Sequence, residues 1–589
     1  NVYATGLNSL GQLGNGTKDY NKEFKLLNTI NDVNYITAGN TYSMFIKNDG
    51  SVWACGDYYH GLSTMRTSSN SVYPVQVGKQ SFSLKENDVF VNIENTKQIE
   101  LNSQFEFNVF KDNVSNSDYK YESLNNDIAG VDDNGIVTGK NIGVTWIKVT
   151  ENNTNDVQIC IVRVGEKDNK NAPKTFAGNN YAITLKADGS IWSYGYNSNG
   201  ELGNSSLESS NIPKEINILK SYKDISVGNQ YTLALRSDGT VWSFGDNSYG
   251  QLGLGNKSSY TTPTLISSIS DVSKISAGYN HAVALNKYGE VYVWGSNSNG
   301  QLGLGNIKTT DEPIKLNIPG TKIVDISAGK DYTALIDNKG RVYISGNTTN
   351  IVGVNYENFA VIKDFVDIIK VACGDELVGI NKDGNVVKIN NNNISTIYAG
   401  KDVVDISAKA GNYMILTNEG KAYVWGENAN GELGTKNNTA VASPTPVNID
   451  KNVISVGAGV NNTYVITADG LVYGSGLNTY GTLGNETNIN SNEYILVGKQ
   501  EFDINPDNVL MSVNDIQEFK ISSERFNVLK QDLKNVDDFE WKSNNTNIVT
   551  IEENAKIKAI AEGETTITVT SKDSNISKDV VVVVEPLDA

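Results

Sequence analysis

Catalysis requires convergent titratable or nucleophilic side chains, and this chain of 589 residues offers few of them. It has two histidines, His60 and His281, and three cysteines, Cys55, Cys160 and Cys373. Neither histidine has a second His, a Cys or a serine motif at a recognisable spacing, so nucleophilic triads and zinc sites are without support. His281 falls where sibling segments carry Tyr181, Tyr231 and Tyr332 and reads as a strand residue packing like a tyrosine; His60 stands at the loop position of Tyr249 and Tyr480. The cysteines lie far apart in strand-like apolar runs such as Val157-Gln158-Ile159-Cys160-Ile161-Val162, and are expected as buried free thiols. That count suits either the cytosol or Gram-positive secretion. Adjacent carboxylates, Asp537-Asp538 and Glu552-Glu553, read as solvated surface. No catalytic residue, metal or cofactor is expected, and the chain reads as non-enzymatic.

Two glycine patterns could suggest ligands and are better read as backbone devices. Asp49-Gly50, Asp188-Gly189, Asp238-Gly239, Asp383-Gly384 and Asp469-Gly470 lack the ligand spacing of a calcium loop, whereas Asp-Gly suits the positive φ of a tight hairpin. The loop Gly245-Asp246-Asn247-Ser248-Tyr249-Gly250-Gln251-Leu252-Gly253 follows a strand but opens no helix and has no P-loop lysine. Its third-position asparagine recurs as Asn8, Asn197, Asn297, Asn428 and Asn478 and is expected to close Asx-type turns.

These elements belong to a repeat. Ala177-Gly178-Asn179-Asn180-Tyr181 leads to Trp192-Ser193-Tyr194-Gly195, and Val227-Gly228 leads likewise to Trp242 and Gly245, so that Gly195, Gly245 and Gly295 are spaced by 50. Copies begin at Ala177, Val227, Ala277, Ala328, Ala372, Ala408 and Gly457, with another running from Ala38 to Gly56. The copy at Ala372 lacks the loop, and the one ending at Gly346 has lost Gln-Leu-Gly. Within Tyr231-Thr232-Leu233-Ala234-Leu235 large residues share one face and small ones the other, as stacked sheets require.

The pattern Trp-x-x-Gly-x-Asn-x-x-Gly-Gln-Leu-Gly, preceded by Ala-Gly-x-x-Tyr and Asp-Gly, resembles the regulator of chromosome condensation repeat family over about 400 residues, which implies a seven-bladed β-propeller. Trp541-Lys542-Ser543-Asn544, Ile548-Val549-Thr550-Ile551 and Gly563 to Val569 resemble a bacterial Ig-like domain of group 2. A looser version runs from Gly130-Val131-Asp132 to Val149, and Val77-Gly78-Lys79-Gln80 and Val497-Gly498-Lys499-Gln500 introduce the two. The expected fold class is all-β: a seven-bladed β-propeller flanked by two small Ig-like β-sandwiches, with a partial propeller at the N-terminus. Residues 1–78 would form about one and a half blades, 79–165 and 500–589 the Ig-like domains, and 166–499 the propeller. One larger ring interrupted by an Ig-like insert is the alternative. Asn1-Val2-Tyr3-Ala4-Thr5-Gly6 reads as the middle of a repeat, so a targeting segment is expected upstream.

With 39% hydrophobic and 20% charged residues the chain should fold, and its net charge of −18 with no Lys/Arg run argues against nucleic acid and anionic membranes as partners. No apolar run reaches the ~18 residues of a membrane helix, so no membrane insertion is expected in this segment. Two chain reversals per copy put both variable loops on one face and the Asp-Gly turns on the other. Tyr196, Asp246, Tyr249, Tyr279 and Tyr480 are the candidate partner-binding residues of the loop face. The two resemblances imply an extracellular or bacterial cell-surface structural and adhesive protein, binding protein or glycan or self-assembling with neighbouring copies. A secreted inhibitor or toxin-associated recognition module and a host small-GTPase effector are the alternatives they leave.

Overall fold

The computed structural model describes residues 1–589 except 49, 58–70, 78–79, 106–118, 153–154, 168, 218–220, 319–321, 499–501, 524–525, 530–538, 554, 573–575 and 587–589. His60, Asp49, Asp537-Asp538 and part of both Val-Gly-Lys-Gln junctions lie outside the described residues. Among the described residues, every element apart from one short helix, Thr349–Val352, is a strand.

The second blade shows how the repeat folds. Tyr222–Val227, Tyr231–Arg236, Val241–Gly245 and Tyr260–Leu265 form an antiparallel four-stranded sheet in chain order. At its hairpin Gly239 takes φ 83°, while Asp238 Oδ1 accepts from the Thr240 amide at 3.0 Å and its hydroxyl at 2.6 Å. The third strand ends in a bulge at Gly245, φ 104°, where a Cβ would lie 2.4 Å from the Gln230 carbonyl, so only glycine fits. Seven such sheets follow one another within 174–215, 222–265, 272–315, 323–361, 368–398, 403–446 and 453–496, here blades 1 to 7.

The large and small faces of the second strand explain the stacking. Leu233 and Leu235 of blade 2 bury against Ile275, Ala284 and Trp294 of blade 3, while the small Ala234 receives Tyr181 and Ile183 of blade 1. Each blade thus fills the hollow of the next. Blade 7 packs on blade 1 in the same way, Tyr464 and Leu483 against Ala182 and Tyr194, and the ring closes. No strand is exchanged across that seam, since blades 1 and 7 each draw all four strands from one segment.

The two sandwiches share one topology. In the first, Tyr119–Ser123, Gly143–Glu151, Val157–Gly165 and Asp88–Asn92 form one sheet whose last pair is parallel. In the second, Phe539–Ser543, Gly563–Ser571, Ser577–Glu585 and Asn508–Ser512 repeat that order and pairing. Before the first sandwich, Val33–Ala38, Tyr42–Lys47, Val52–Gly56 and Ser71–Gln76 build another four-stranded sheet, preceded by the pair Tyr3–Gly6 and Asn21–Leu26.

Candidate functional site

The groups most able to do chemistry are built into the packing. His281 is fully buried on the second strand of blade 3; its Nε2 lies 2.9 Å from Thr333 Oγ1 of blade 4, and burial, aided by nearby Lys409, pushes its pKa down to about 3. It therefore holds the slot in which Tyr181 reaches the Tyr231 carbonyl (2.5 Å) and Tyr231 the His281 carbonyl, stitching consecutive blades. All three cysteines are free and buried, and burial pushes the Cys55 thiol up to about 12 and that of Cys373 to about 11, which keeps them protonated and unreactive.

The loop face is held by a repeated staple. Asn247 is fully buried, its Oδ1 accepting from the Leu252 amide at 2.9 Å and its Nδ2 donating to the Asn256 carbonyl at 2.8 Å. Asn197, Asn297, Asn428 and Asn478 bond the same way, five residues forward. This corrects the expectation of Asx-type turns at these positions, because an Asx turn reaches only two residues on. Those turns are made by another asparagine seven or nine residues further on, as in Asn256 Oδ1 accepting from the Ser258 amide at 2.9 Å. The Gln-Leu-Gly glutamine closes the loop from inside, Gln251 Oε1 accepting from the Tyr249 amide at 2.9 Å. Blade 1 has Glu201 there, fully buried with Oε1 unpartnered, and burial raises its pKa to about 7.

On this scaffold the candidate residues divide. Tyr249 is 46% and Tyr480 42% exposed. Tyr196 of blade 1 meets Tyr480 of blade 7 edge-on, ring centroids 4.8 Å apart, across the seam. Asp246 is spent locally on Ser248 (2.6 Å) and Gln251 (2.7 Å). Tyr279 lies in the inner loop of blade 3 with the Lys330 ammonium 5.7 Å from its ring. Exposed aliphatics missed in the sequence stand on the same face: Leu207 of blade 1, Ile307 of blade 3 and Ile489 of blade 7.

The opposite face is occupied. At one register of the inner strands the ring carries Lys174, Asp224, Lys274, Asp325, Lys370, Asp405 and Ser455 in turn, and neighbours pair at 2.7, 2.8 and 2.5 Å for Lys174–Asp224, Lys274–Asp325 and Lys370–Asp405. Onto this ring the first sandwich sets Arg163, bonded to its own Asp88 (2.9 Å) and to Asp405 (2.9 Å). Burial opposes the Asp405 charge, but Lys370 and Arg163 more than reverse it and hold the carboxyl well below the usual range. The same sandwich bonds the carbonyls of Asn338 in blade 4 and Asn418 in blade 6, at 3.2 and 3.0 Å, so it spans the central channel on the Asp-Gly side. Its Trp146 and Ile161 join one apolar cluster with Val403 and Val453.

Lys409 closes the other end of the channel. It replaces the glycine of six sibling blades (Gly178, Gly228, Gly278, Gly329, Gly374, Gly459), and its Nζ crosses to the carbonyls of Val227 (2.8 Å) and Ala277 (2.9 Å), on blades 2 and 3. Burial lowers its pKa to about 8. Comparing the copies at that glycine would have revealed it; the Arg163 contact had no such signal. A cleft of 760 Å³ between blades 3 and 4 is lined by Lys315, Lys339, Arg341, Tyr343 and Phe359, but Lys315 and Arg341 already pair with Glu290 (2.5 Å) and Asp337 (2.6 Å). Among the described residues no group of three or more His, Cys, Asp or Glu could hold a metal ion, and no helix is long and apolar enough to cross a membrane.

Residues 130–380 match the RCC1-like domain, 419–466 the regulator of chromosome condensation (RCC1) repeat, and 403–432 and 453–482 a second model of that repeat. Residues 80–162 and 520–582 match the bacterial Ig-like domain (group 2). The first match begins inside the first sandwich, whereas the first propeller strand begins at Lys174. Among solved structures, yeast RCC1 (Prp20), crystallised with Kap60, is 22% identical over 54% of this chain and 85% of its own, with a TM-score of 0.49. Prp20p from Saccharomyces cerevisiae, studied for binding to Gsp1p and histones, is 23% identical over 54% and 87%, with a TM-score of 0.47. Human WBSCR16 is 20% identical over 59% and 87%, with a TM-score of 0.36.

Proposed function

Because the chain is built of regulator of chromosome condensation repeats and bacterial Ig-like domains of group 2, we propose that it is a non-catalytic, extracellular or cell-surface binding protein that presents the propeller's loop face to a protein or glycan. The observation that carries this reading is the asymmetry of the ring. One face is covered by the first sandwich and the channel is filled by Arg163 and Lys409, while the loop face keeps Tyr249, Tyr480, Leu207 and Ile489 in solvent. Exposed tyrosines and aliphatics on a rigid scaffold suit partner contact, since tyrosine offers large amphipathic area at low entropy cost.

The division into 1–78, 79–165, 166–499 and 500–589 is part of the reading. Residues 1–78 are blades of a second propeller unit, since the surface they leave open around Ile36 matches what a preceding blade covers in the ring. The test is retention of the purified chain on a glycan array and on immobilised collagen and fibronectin. Tyr249→Ala should weaken any binding by about 1–2 kcal/mol while barely moving the Tm, and adding Tyr480→Ala, whose ring also packs on Tyr196, should weaken it further with some loss of Tm. Undiminished binding by that variant would move the interface off this face.

A further inference from the structure

The seam between blades 7 and 1 is where the ring is weakest by construction, because every other pair of neighbouring blades is joined by a short chain connection and this pair is not, and no strand is shared across it. On the loop side it is held by the Tyr196–Tyr480 contact, by Thr482 Oγ1 donating to the Asn180 carbonyl at 2.9 Å, and by the Glu486 amide donating to the Asn211 carbonyl at 2.9 Å. On the Asp-Gly side a segment from outside the propeller enters. We propose that residues 526–528 of the second Ig-like domain are a latch, and that the paired turns of blades 7 and 1 are its docking site, so that this domain keeps the ring closed.

The latch bonds both edges of the seam. The Val528 amide donates to the Gly470 carbonyl in the blade 7 turn at 2.9 Å, and the Ala187 amide in the blade 1 turn donates to the Val528 carbonyl at 2.8 Å. One residue thus bridges two blades through its own peptide groups. Asn527 Nδ2 adds a bond to the Asp469 carbonyl at 2.8 Å. Phe526 lies edge-on to Trp192 of blade 1, centroids 5.6 Å apart, with the Lys186 ammonium 4.1 Å from the Trp192 ring and 4.6 Å from that of Phe526. Phe526 and Val528 are buried in the same apolar cluster as Ala182 and Tyr194 of blade 1 and Tyr464 and Leu483 of blade 7, so the seam's core is completed by another domain. The sandwich core itself, around Ile567, Val569 and Val582, is a separate cluster. Removing the latch side chains therefore leaves the sandwich its own packing. The latch replaces what a shared strand would supply: hydrogen bonds to first and last blade from a single piece of chain.

Hydrogen–deuterium exchange on the whole chain, parent against Phe526→Ala/Asn527→Ala, tests this. Amides of Tyr181–Leu185 in blade 1 and Asn462–Thr467 in blade 7 should exchange at least about tenfold faster, while His281–Asn286 and Tyr332–Asp337 of blades 3 and 4 and Gly563–Ser571 of the sandwich keep parent rates. Seam rates equal to the parent's would overturn the proposal, as would an equal rise in all seven blades, which would mean general destabilisation. Should the double variant not fold, Asn527→Ala alone, which removes one donor and keeps Phe526, is read by the same two criteria.

Discussion

The blade at 33–76 and blade 2 of the ring share the repeat pattern and the strand order, yet their inner strands live in different surroundings. Ile225 is 2% exposed, and Ile36, at the same register, is 63% exposed. Ile225 lies under Tyr181 and Ile183, on the second strand of the blade before it. The pair of strands before the 33–76 blade supplies only the outer half of such a cover: Val2 and Leu27 reach Phe45 and Cys55 but leave Ile36 and Tyr35 in solvent. A blade therefore forms its four strands from local pattern alone, and acquires a buried core only from its neighbours, as one-dimensional repeat stacking requires.

The comparison breaks first at the inner rim. Where the ring carries alternating Lys and Asp, the 33–76 blade has Tyr35. Asp405→Ala would leave the buried Lys370 without its ion-pair partner and Arg163 with Asp88 alone, and should cost about 3–5 kcal/mol in chemical denaturation, whereas Tyr35→Ala should cost almost nothing. An Asp405→Ala chain with parent stability would show that the channel is wet enough to screen those charges.

A second contrast isolates the cover itself. Ile225→Ala should destabilise the ring by about 2–5 kcal/mol through a lost side chain and a residual cavity, and Ile36→Ala by less than about 0.5 kcal/mol, read as separate shifts in the denaturation midpoint. Equal effects would mean that Ile36 is covered in solution.

The loops sharpen the comparison from the other side, because there the two regions agree. Asn8 and Asn247 make the same staple, to the Leu13 and Leu252 amides, both at 2.9 Å. Both carry glutamine four residues on, Gln12 and Gln251, where blade 1 carries Glu201. Glu201 has a folded pKa of about 7 against ~4.3 for an unfolded glutamate. The folded state then holds the proton more tightly, so the stability linked to it is complete below about pH 4 and is lost as pH rises through 7, by on the order of 4 kcal/mol at most. Glu201→Gln should abolish that slope and stabilise the protein at pH 8. A stability profile between pH 5 and 8 that the substitution leaves unaltered would place the carboxylate in water.

The repeat period, the alternation of large and small residues in Tyr231–Arg236, and the Asp-Gly and Gly-x-Asn glycines were enough to specify blades, turns and the faces on which they lie. These are local properties: hairpin φ, strand alternation and the size match between one blade and the next. The sequence likewise placed His281 in a tyrosine slot and the cysteines in strands. It could not say what fills the channel or which face stays free. Lys409 contacts residues 182 and 132 positions away, and the salt bridge between Arg163 and Asp405 joins two domains. Nor did it show that residues 526–528, ordinary in composition, would bridge the seam. Those contacts are decided by ring closure and domain docking, which bring together groups that share no periodicity, and only the tertiary structure records where they meet.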